Sequence, residues 1–127
     1  MTGQVGAEKN FENRVKRILE TYKIYPLGGE YKSDIEGYYE KRWGGGYFTK
    51  KGLPDLHITY RGVSVEVELK SDVGRPSELQ KRTLEQINQA ECGTGLLIRP
   101  ANLYELITTL EKIKQTSNSL KYMKKGE

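Results

Sequence analysis

The stretch GLPDLHITYRGVSVEVELK, residues 52–70, decides the fold of this chain. Apolar and polar residues alternate along it, and the parity of the alternation changes once, across Arg61 and Gly62. Strict alternation is typical of a strand with one buried face, and a parity change across two residues is typical of a tight turn. The pattern therefore predicts a β-hairpin in which Arg61 and Gly62 form the turn.

The turn also sets the register of the two predicted strands. If Tyr60 faces Val63, then stepping back along both strands places Asp55 opposite Glu68. Facing side chains on one side of a sheet have Cβ atoms about 4.5–5.5 Å apart. Lys70 leaves the sheet on the same side, because it lies two residues beyond Glu68. We therefore predict two carboxylates and an ammonium group together at the open end of the hairpin.

Such a pair of acids favours a bound cation, because two like charges that face each other destabilise a sheet. Carboxylates suit hard divalent ions such as Mg²⁺, and the carbonyl of Leu69 could add a further oxygen ligand. Lys70 could offset charge on a phosphate. The alternative is an ordinary solvated polar face of an antiparallel sheet, which is the interpretation we favour for Glu66 and for His57 opposite it.

The rest of the chain alternates helices and strands. Helical spacing of apolar residues predicts helices over residues 8–22, from Ser77 onward and after Asn102, and strands are predicted near residues 38–43 and 95–99. Gln80 lies three residues after Ser77, the spacing of a capping box. The order helix, strand, hairpin, helix, strand, helix predicts an α/β domain with one mixed sheet.

Length and composition narrow the class of protein. The 127 residues suit one domain, with an ordered core over about residues 8–114 and a polar C-terminal tail over residues 115–127. We find no apolar run of membrane-spanning length and no secretory signal, so we expect a cytoplasmic protein. Cys92 is the single cysteine, which excludes an internal disulfide and a cysteine zinc cluster. The net charge of +4 is compatible with a polyanionic partner.

Pro54-Asp55, followed by Glu68-Leu69-Lys70 on the next strand, resembles the signature of the PD-(D/E)XK nuclease superfamily. The sequence around these residues is similar to the VRR-NUC family, in the small stand-alone form found in phages and prophages. The similar segments are KRWGGGYFTKKGLPD, VEVELK and GRPSELQ. FENRVKRIL resembles the first helix of that family, whereas residues 25–40 diverge from it. The resemblance covers about residues 8–100.

The resemblance implies a restriction-endonuclease-like core, with a central mixed β-sheet flanked by helices. It implies hydrolysis of DNA phosphodiester bonds that depends on Mg²⁺ or Mn²⁺, with no small-molecule cofactor. It also implies a homodimer acting on branched DNA such as Holliday junctions, since stand-alone members are similar to archaeal-type junction resolvases. If the chain is encoded by a phage, it would act in the host cytoplasm.

The family's site residues transfer to this sequence position by position. The catalytic set is Asp55, Glu68, Lys70, Gln80 and an acid of the first helix, for which Glu12 is preferred to Glu8. The metal ligands would be Asp55, Glu68, the Leu69 carbonyl and Glu12. Gln80 has a second interpretation as the capping-box partner of Ser77, and both roles can hold together.

Basic residues around the predicted site are candidates for DNA contacts, namely Lys41, Arg42, Lys50, Lys51, Arg75 and Lys81. Contacts of this kind hold phosphates without reading bases, so they predict binding that weakens steeply with salt. Trp43, Tyr47 and Phe48 would either stack on unpaired bases or pack the loop, and residues 23–47 are the candidate dimer contact.

Other functions fit parts of the same sequence. A restriction, nicking or flap nuclease of the same fold would share every site residue with a junction resolvase, and only the cleaved DNA substrate separates them. A non-catalytic DNA-binding module, or more remotely a phage structural protein, would share the basic charge but would not need Asp55 opposite Glu68.

Overall fold

Helices and strands alternate along the chain in the computed structural model, which describes residues 3–30, 32–42, 51–91 and 93–125. In chain order the elements are α1 (Gly3–Thr21), β1 (Ile24–Pro26), β2 (Gly37–Lys41), β3 (Leu56–Tyr60), β4 (Val63–Leu69), α2 (Glu78–Gln89), β5 (Gly95–Ile98), a 3₁₀ helix (Pro100–Asn102) and α3 (Tyr104–Lys125). The predicted α/β class is confirmed.

The β3–β4 hairpin has the predicted register. Tyr60 pairs with Val63, and each pair back to Leu56 with Val67 follows in step. The turn residues Arg61 and Gly62 have φ angles of 49° and 83°. Two consecutive positive φ angles define the type I′ turn, whose twist matches that of the two strands.

The five strands of the described residues form one mixed sheet in the order β1-β2-β3-β4-β5. The β2–β3 and β3–β4 pairs are antiparallel, whereas the β1–β2 and β4–β5 pairs are parallel. Strand β1 was not predicted, because three residues are too few to give a periodic signal. The predicted strand before the hairpin is present as β2.

One face of this sheet carries the core. Helices α1 and α3 both pack there, against the inward residues of all five strands. The buried apolar side chains are Phe11, Val15, Leu19, Ile24, Tyr39, Leu56, Ile58, Tyr60, Val65, Val67, Ile98, Leu103, Leu106, Leu110 and Ile113. Helix α2 lies across the opposite face at the β5 edge, where Leu84 and Ile87 approach the Gly95 backbone closely. The mixed sheet is therefore flanked by helices on both sides.

Two helices are longer than predicted. Helix α1 begins at Gly3 rather than near residue 8, and α3 continues to Lys125 through most of the predicted tail. No glycine or proline interrupts the sequence from Tyr104 to Lys125, so nothing local stops that helix. None of the helices in the described residues is both long and apolar enough to cross a bilayer.

Candidate functional site

Asp55 and Glu68 hold each other at the open end of the hairpin. The backbone N–H of Asp55 donates to Glu68 Oε1 at 3.2 Å. In return, the backbone N–H of Leu69 donates to Asp55 Oδ2 at 3.0 Å. The predicted juxtaposition of the two carboxylates is confirmed, and it arises because the type I′ turn at Arg61 and Gly62 fixes the register of the two strands.

Glu68 is buried, although it lies on the face that alternation assigns to polar residues. Its relative exposure is 1%, and it is the single buried charged residue in the described part of the chain. Its Oε2 atom accepts no hydrogen bond from any described residue. Lys70 Nζ lies 3.7 Å from that oxygen. A solvated surface role, the alternative left open by the sequence, does not describe Glu68.

The surroundings of Glu68 favour its neutral form in the metal-free protein. Burial raises the pKa of the Glu68 carboxyl to about 7, and the neighbouring Asp55 carboxylate pushes it in the same direction. The Lys70 ammonium group opposes this rise in pKa without cancelling it. An acid with this environment binds either a proton or another cation.

A cavity of about 670 Å³ opens beside the pair. Asp55, Leu69 and Lys70 line it from the hairpin end, and Lys41 lines it from β2. The other lining residues come from α1, from the segment after β4 and from the start of the 3₁₀ helix, namely Ala7, Glu8, Phe11, Glu12, Ser71, Asp72, Val73, Gly74, Arg75 and Pro100. Asp55, Lys70 and the two candidate helical acids, Glu8 and Glu12, therefore line the same cavity.

The two candidate acids of helix α1, Glu12 and Glu8, have different surroundings. Glu12 accepts a hydrogen bond from Lys41 Nζ at 2.5 Å, and Lys16 Nζ lies 3.6 Å away. The hydrogen bond from Lys41 lowers the pKa of Glu12, with the charges of Lys41 and Lys16 adding to the effect. Glu8 is exposed. The roles predicted for Glu12 and Glu8 stay predictions, and Glu12 reaches the site as one half of an ion pair.

Gln80 forms the predicted capping box. Its Oε1 accepts from the Ser77 backbone N–H at 2.7 Å, and its own N–H donates to Ser77 Oγ at 3.1 Å. The side chain thereby fixes the start of α2. Gln80 is a described residue outside the cavity lining, so its predicted catalytic role stays a prediction.

The predicted DNA contacts fall into three groups. Arg75 lines the cavity, and Lys51 and Lys81 are exposed, with Lys81 3.2 Å from Glu78. Lys41 and Arg42 face carboxylates of the protein itself, Glu12 and Glu66 respectively. Lys50, Trp43, Tyr47 and Phe48 lie outside the described residues.

Glu66 and His57, which the sequence assigned to an ordinary solvated face, instead form a second polar cluster with Arg42 on the same sheet face, and Glu66 is only 16% exposed. Arg42 Nη1 donates to Glu66 Oε2 at 2.6 Å, and Nη2 donates to Glu66 Oε1 at 3.2 Å. His57 Nδ1 lies 2.5 Å from Glu66 Oε1, and its Nε2 lies 3.1 Å from Thr59 Oγ1. Burial alone would raise the pKa of Glu66, but the hydrogen bonds from Arg42 and His57 outweigh burial and lower it. Glu66 is therefore a structural anion.

The donor set at Asp55 and Glu68 fits a small hard cation. No group of three or more His, Cys, Asp or Glu side chains within the described ranges could hold a metal ion. Mg²⁺ does not require such a group, since one or two carboxylates with waters and substrate phosphates commonly suffice. The buried Glu68 Oε2, without a hydrogen bond from the described residues, is the atom that such an ion would satisfy.

Comparison with protein-family models, with curated proteins and with solved structures gave no match for this chain.

Proposed function

We propose that this chain is a metal-dependent, structure-selective DNA endonuclease that cleaves branched DNA as a homodimer, four-way junctions foremost. The observation that carries the proposal is Glu68, an acid with 1% exposure whose Oε2 lacks a hydrogen bond from the described residues. A buried carboxylate oxygen without a hydrogen bond destabilises a fold, and the ion pair with Lys70 at 3.7 Å does not supply one, so this arrangement supports a role for Glu68 in binding a cation.

The fold supports the same proposal. A helix, a three-stranded antiparallel unit, a second helix and a parallel fifth strand follow one another around a mixed sheet. The resemblance to the nuclease superfamily implies a central mixed sheet flanked by helices, so this α/β architecture supports the proposal. Asp55, Glu68 and Lys70 lie together at the open end of the central hairpin beside a cavity, and this proximity supports the roles that the PD-(D/E)XK resemblance implies for them.

Each residue has a chemical task in this proposal. Asp55, Glu68 and the Leu69 carbonyl would hold one Mg²⁺ or Mn²⁺, which when bound supplies Lewis-acid stabilisation of the scissile phosphate. Lys70, within 3.7 Å of Glu68 Oε2, would orient the attacking water or offset negative charge on phosphate oxygens. Arg75 at the cavity and the exposed Lys51 and Lys81 would hold the DNA backbone.

The test is a cleavage assay with Mn²⁺ on an immobile four-way junction, with flap, nicked and linear DNA as parallel substrates. We expect cutting of the junction by the wild-type protein and loss of cutting by Lys70→Ala. Preferred cutting of flap or nicked DNA would move the proposal to another nuclease of the same class. Light scattering checks the dimer, since symmetric cutting of a junction needs two sites.

A binding module without catalysis is separated by calorimetry. Wild-type protein should release heat on Mn²⁺ addition, and Asp55→Ala should not, because the ion loses one of its two carboxylates. Equal heats for the two proteins, together with no cutting of any substrate, would reject the nuclease.

A further inference from the structure

The sequence assigned Arg42 to DNA contact, but among the described residues its hydrogen bonds go to Pro54, Asp55 and Glu66 of the protein itself. Its backbone N–H donates to the Asp55 carbonyl at 2.6 Å, which extends the β2–β3 ladder one step past the pair of Lys41 with Leu56. Its side chain donates to the Pro54 carbonyl at 3.0 Å and makes two bonds to Glu66 on β4. Arg42 therefore links the end of β2 to the segment before β3 and to β4.

The segment held in this way is the one that carries a metal-ligand candidate. Pro54 cannot donate a hydrogen bond to a neighbouring strand, so the ladder alone does not secure it. Arg42 secures the carbonyls of both Pro54 and Asp55. The Asp55 side chain is then within reach of the Leu69 N–H. The position of Asp55 against Glu68 therefore depends on where Arg42 is held.

Glu66 fixes Arg42 through a geometry that a lysine does not reproduce. Two parallel bonds join the guanidinium plane to the carboxylate, and such forked pairs restrict direction as well as distance. The side chains of Arg42 and Glu66 are 28% and 16% exposed. His57 Nδ1 also contacts Glu66 Oε1, and Thr59 Oγ1 contacts the other ring nitrogen of His57.

We propose that Arg42 and Glu66 form a positioning pair that holds Asp55 in place for metal binding. The inference rests on the proposed function for the metal, but it assigns Arg42 to the support of the site instead of to the DNA. Replacing a residue that hydrogen-bonds to a metal ligand and orients it typically weakens metal affinity by about 10- to 100-fold.

The experiment compares Arg42→Ala, Arg42→Lys and Glu66→Gln with Arg17→Ala, a matched control at an exposed arginine of α1. Mn²⁺ affinity is measured by calorimetry without DNA. Junction affinity is measured without metal over a series of salt concentrations. Exchange of the Leu69 amide hydrogen is followed by NMR in the metal-free protein, because that N–H reports directly on its bond to Asp55.

A positioning pair predicts the same defect on both sides of the ion pair. Arg42→Ala and Glu66→Gln should each weaken Mn²⁺ binding by about 10- to 100-fold and speed Leu69 amide exchange by about tenfold or more. Arg42→Lys should fall between wild type and Arg42→Ala. The junction affinity and its salt dependence should match those of Arg17→Ala.

If Arg42 instead contacts DNA directly, the variants should show the opposite pattern of metal and DNA affinities, and that result would overturn the inference. Arg42→Ala would then reduce the salt slope of junction binding by about one, with unchanged Mn²⁺ affinity, and Glu66→Gln would bind DNA as well as wild type. If Arg42→Ala does not fold, unchanged Mn²⁺ affinity and exchange in Glu66→Gln reject the inference alone. Absence of Mn²⁺ binding by the wild-type protein would instead reject the proposed function.

Discussion

Glu66 and Glu68 lie two residues apart on one strand and on the same face of the sheet, yet their surroundings are opposite. Glu66 has two bonds from Arg42 and a contact with His57, and its pKa is lowered. Glu68 is buried against Asp55, and its pKa is raised to about 7. The difference teaches that the partners of an acid, more than its face, decide whether it holds the fold together or remains available for a ligand.

The largest expected difference between the two acids is in cleavage. Glu68→Gln should lower the rate on the preferred substrate by more than about 100-fold at any Mn²⁺ concentration, because it removes a ligand outright. Glu66→Gln should lose activity at low Mn²⁺ and regain most of it at saturation, because its ligands are intact but less well placed. Rate measurements over a Mn²⁺ series decide this. Equal recovery of both variants would end the distinction between the two acids.

A second expected difference concerns the pH dependence of stability without metal. The folded protein keeps a proton on Glu68 that the unfolded chain, with a pKa of 4.5, releases. The free energy of unfolding should therefore fall as pH rises from about 4.5 to about 7, by an upper bound of about 3 kcal/mol. Glu66 acts in the other direction, since its stabilisation is complete above pH 4.5 and is lost as pH falls through its lowered pKa.

Urea unfolding with a chelator, between about pH 5 and pH 8, measures this effect. Glu68→Gln should remove most of the decline with rising pH, whereas Thr59→Val should keep it. A decline in Glu68→Gln as steep as in wild type would place the retained proton on another group.

The sequence was sufficient to predict the acidic neighbour of Glu68 but not the basic partner of Glu66. Asp55 and Glu68 could be paired in advance because only two residues, Arg61 and Gly62, join β3 to β4 and so fix the register. Arg42 and Glu66 could not be paired, because Lys41 and Leu56, the facing ends of β2 and β3, are too far apart in the sequence for it to fix the register of those strands.

Burial was the other feature beyond reach of the sequence. Alternation placed Glu68 on the polar face, and no local pattern indicated that the tertiary structure would remove it from water. The cavity has the same origin, since α1 and the segment after β4 meet there from distant parts of the chain. Element types followed from periodicity, whereas three-residue β1 and the ends of α1 and α3 did not.

A third expected difference is in stability at about pH 8, where Glu68 is ionised without metal. Glu68→Gln replaces a buried charge with a neutral group of similar shape, so it should stabilise the metal-free fold by about 1–2 kcal/mol. Glu66→Gln should destabilise it by about 1–2 kcal/mol, since Arg42 loses its charged partner. Chemical denaturation of the two variants gives the two signs. Destabilisation by both would mean that Glu68 serves the fold as Glu66 does.

The smallest expected effect concerns Thr59, which contacts His57 at the edge of the cluster formed by Arg42, Glu66 and His57. Thr59→Val keeps the β-branched shape and removes the oxygen that lies 3.1 Å from His57 Nε2. Because His57 keeps its contact with Glu66, the loss should be less than about 1 kcal/mol, with cleavage and Mn²⁺ affinity unchanged. Thermal unfolding and the Mn²⁺ titration measure both quantities on the same sample. A large loss of cleavage at unchanged stability would draw His57 into the reaction, and the two acids would then belong to one site.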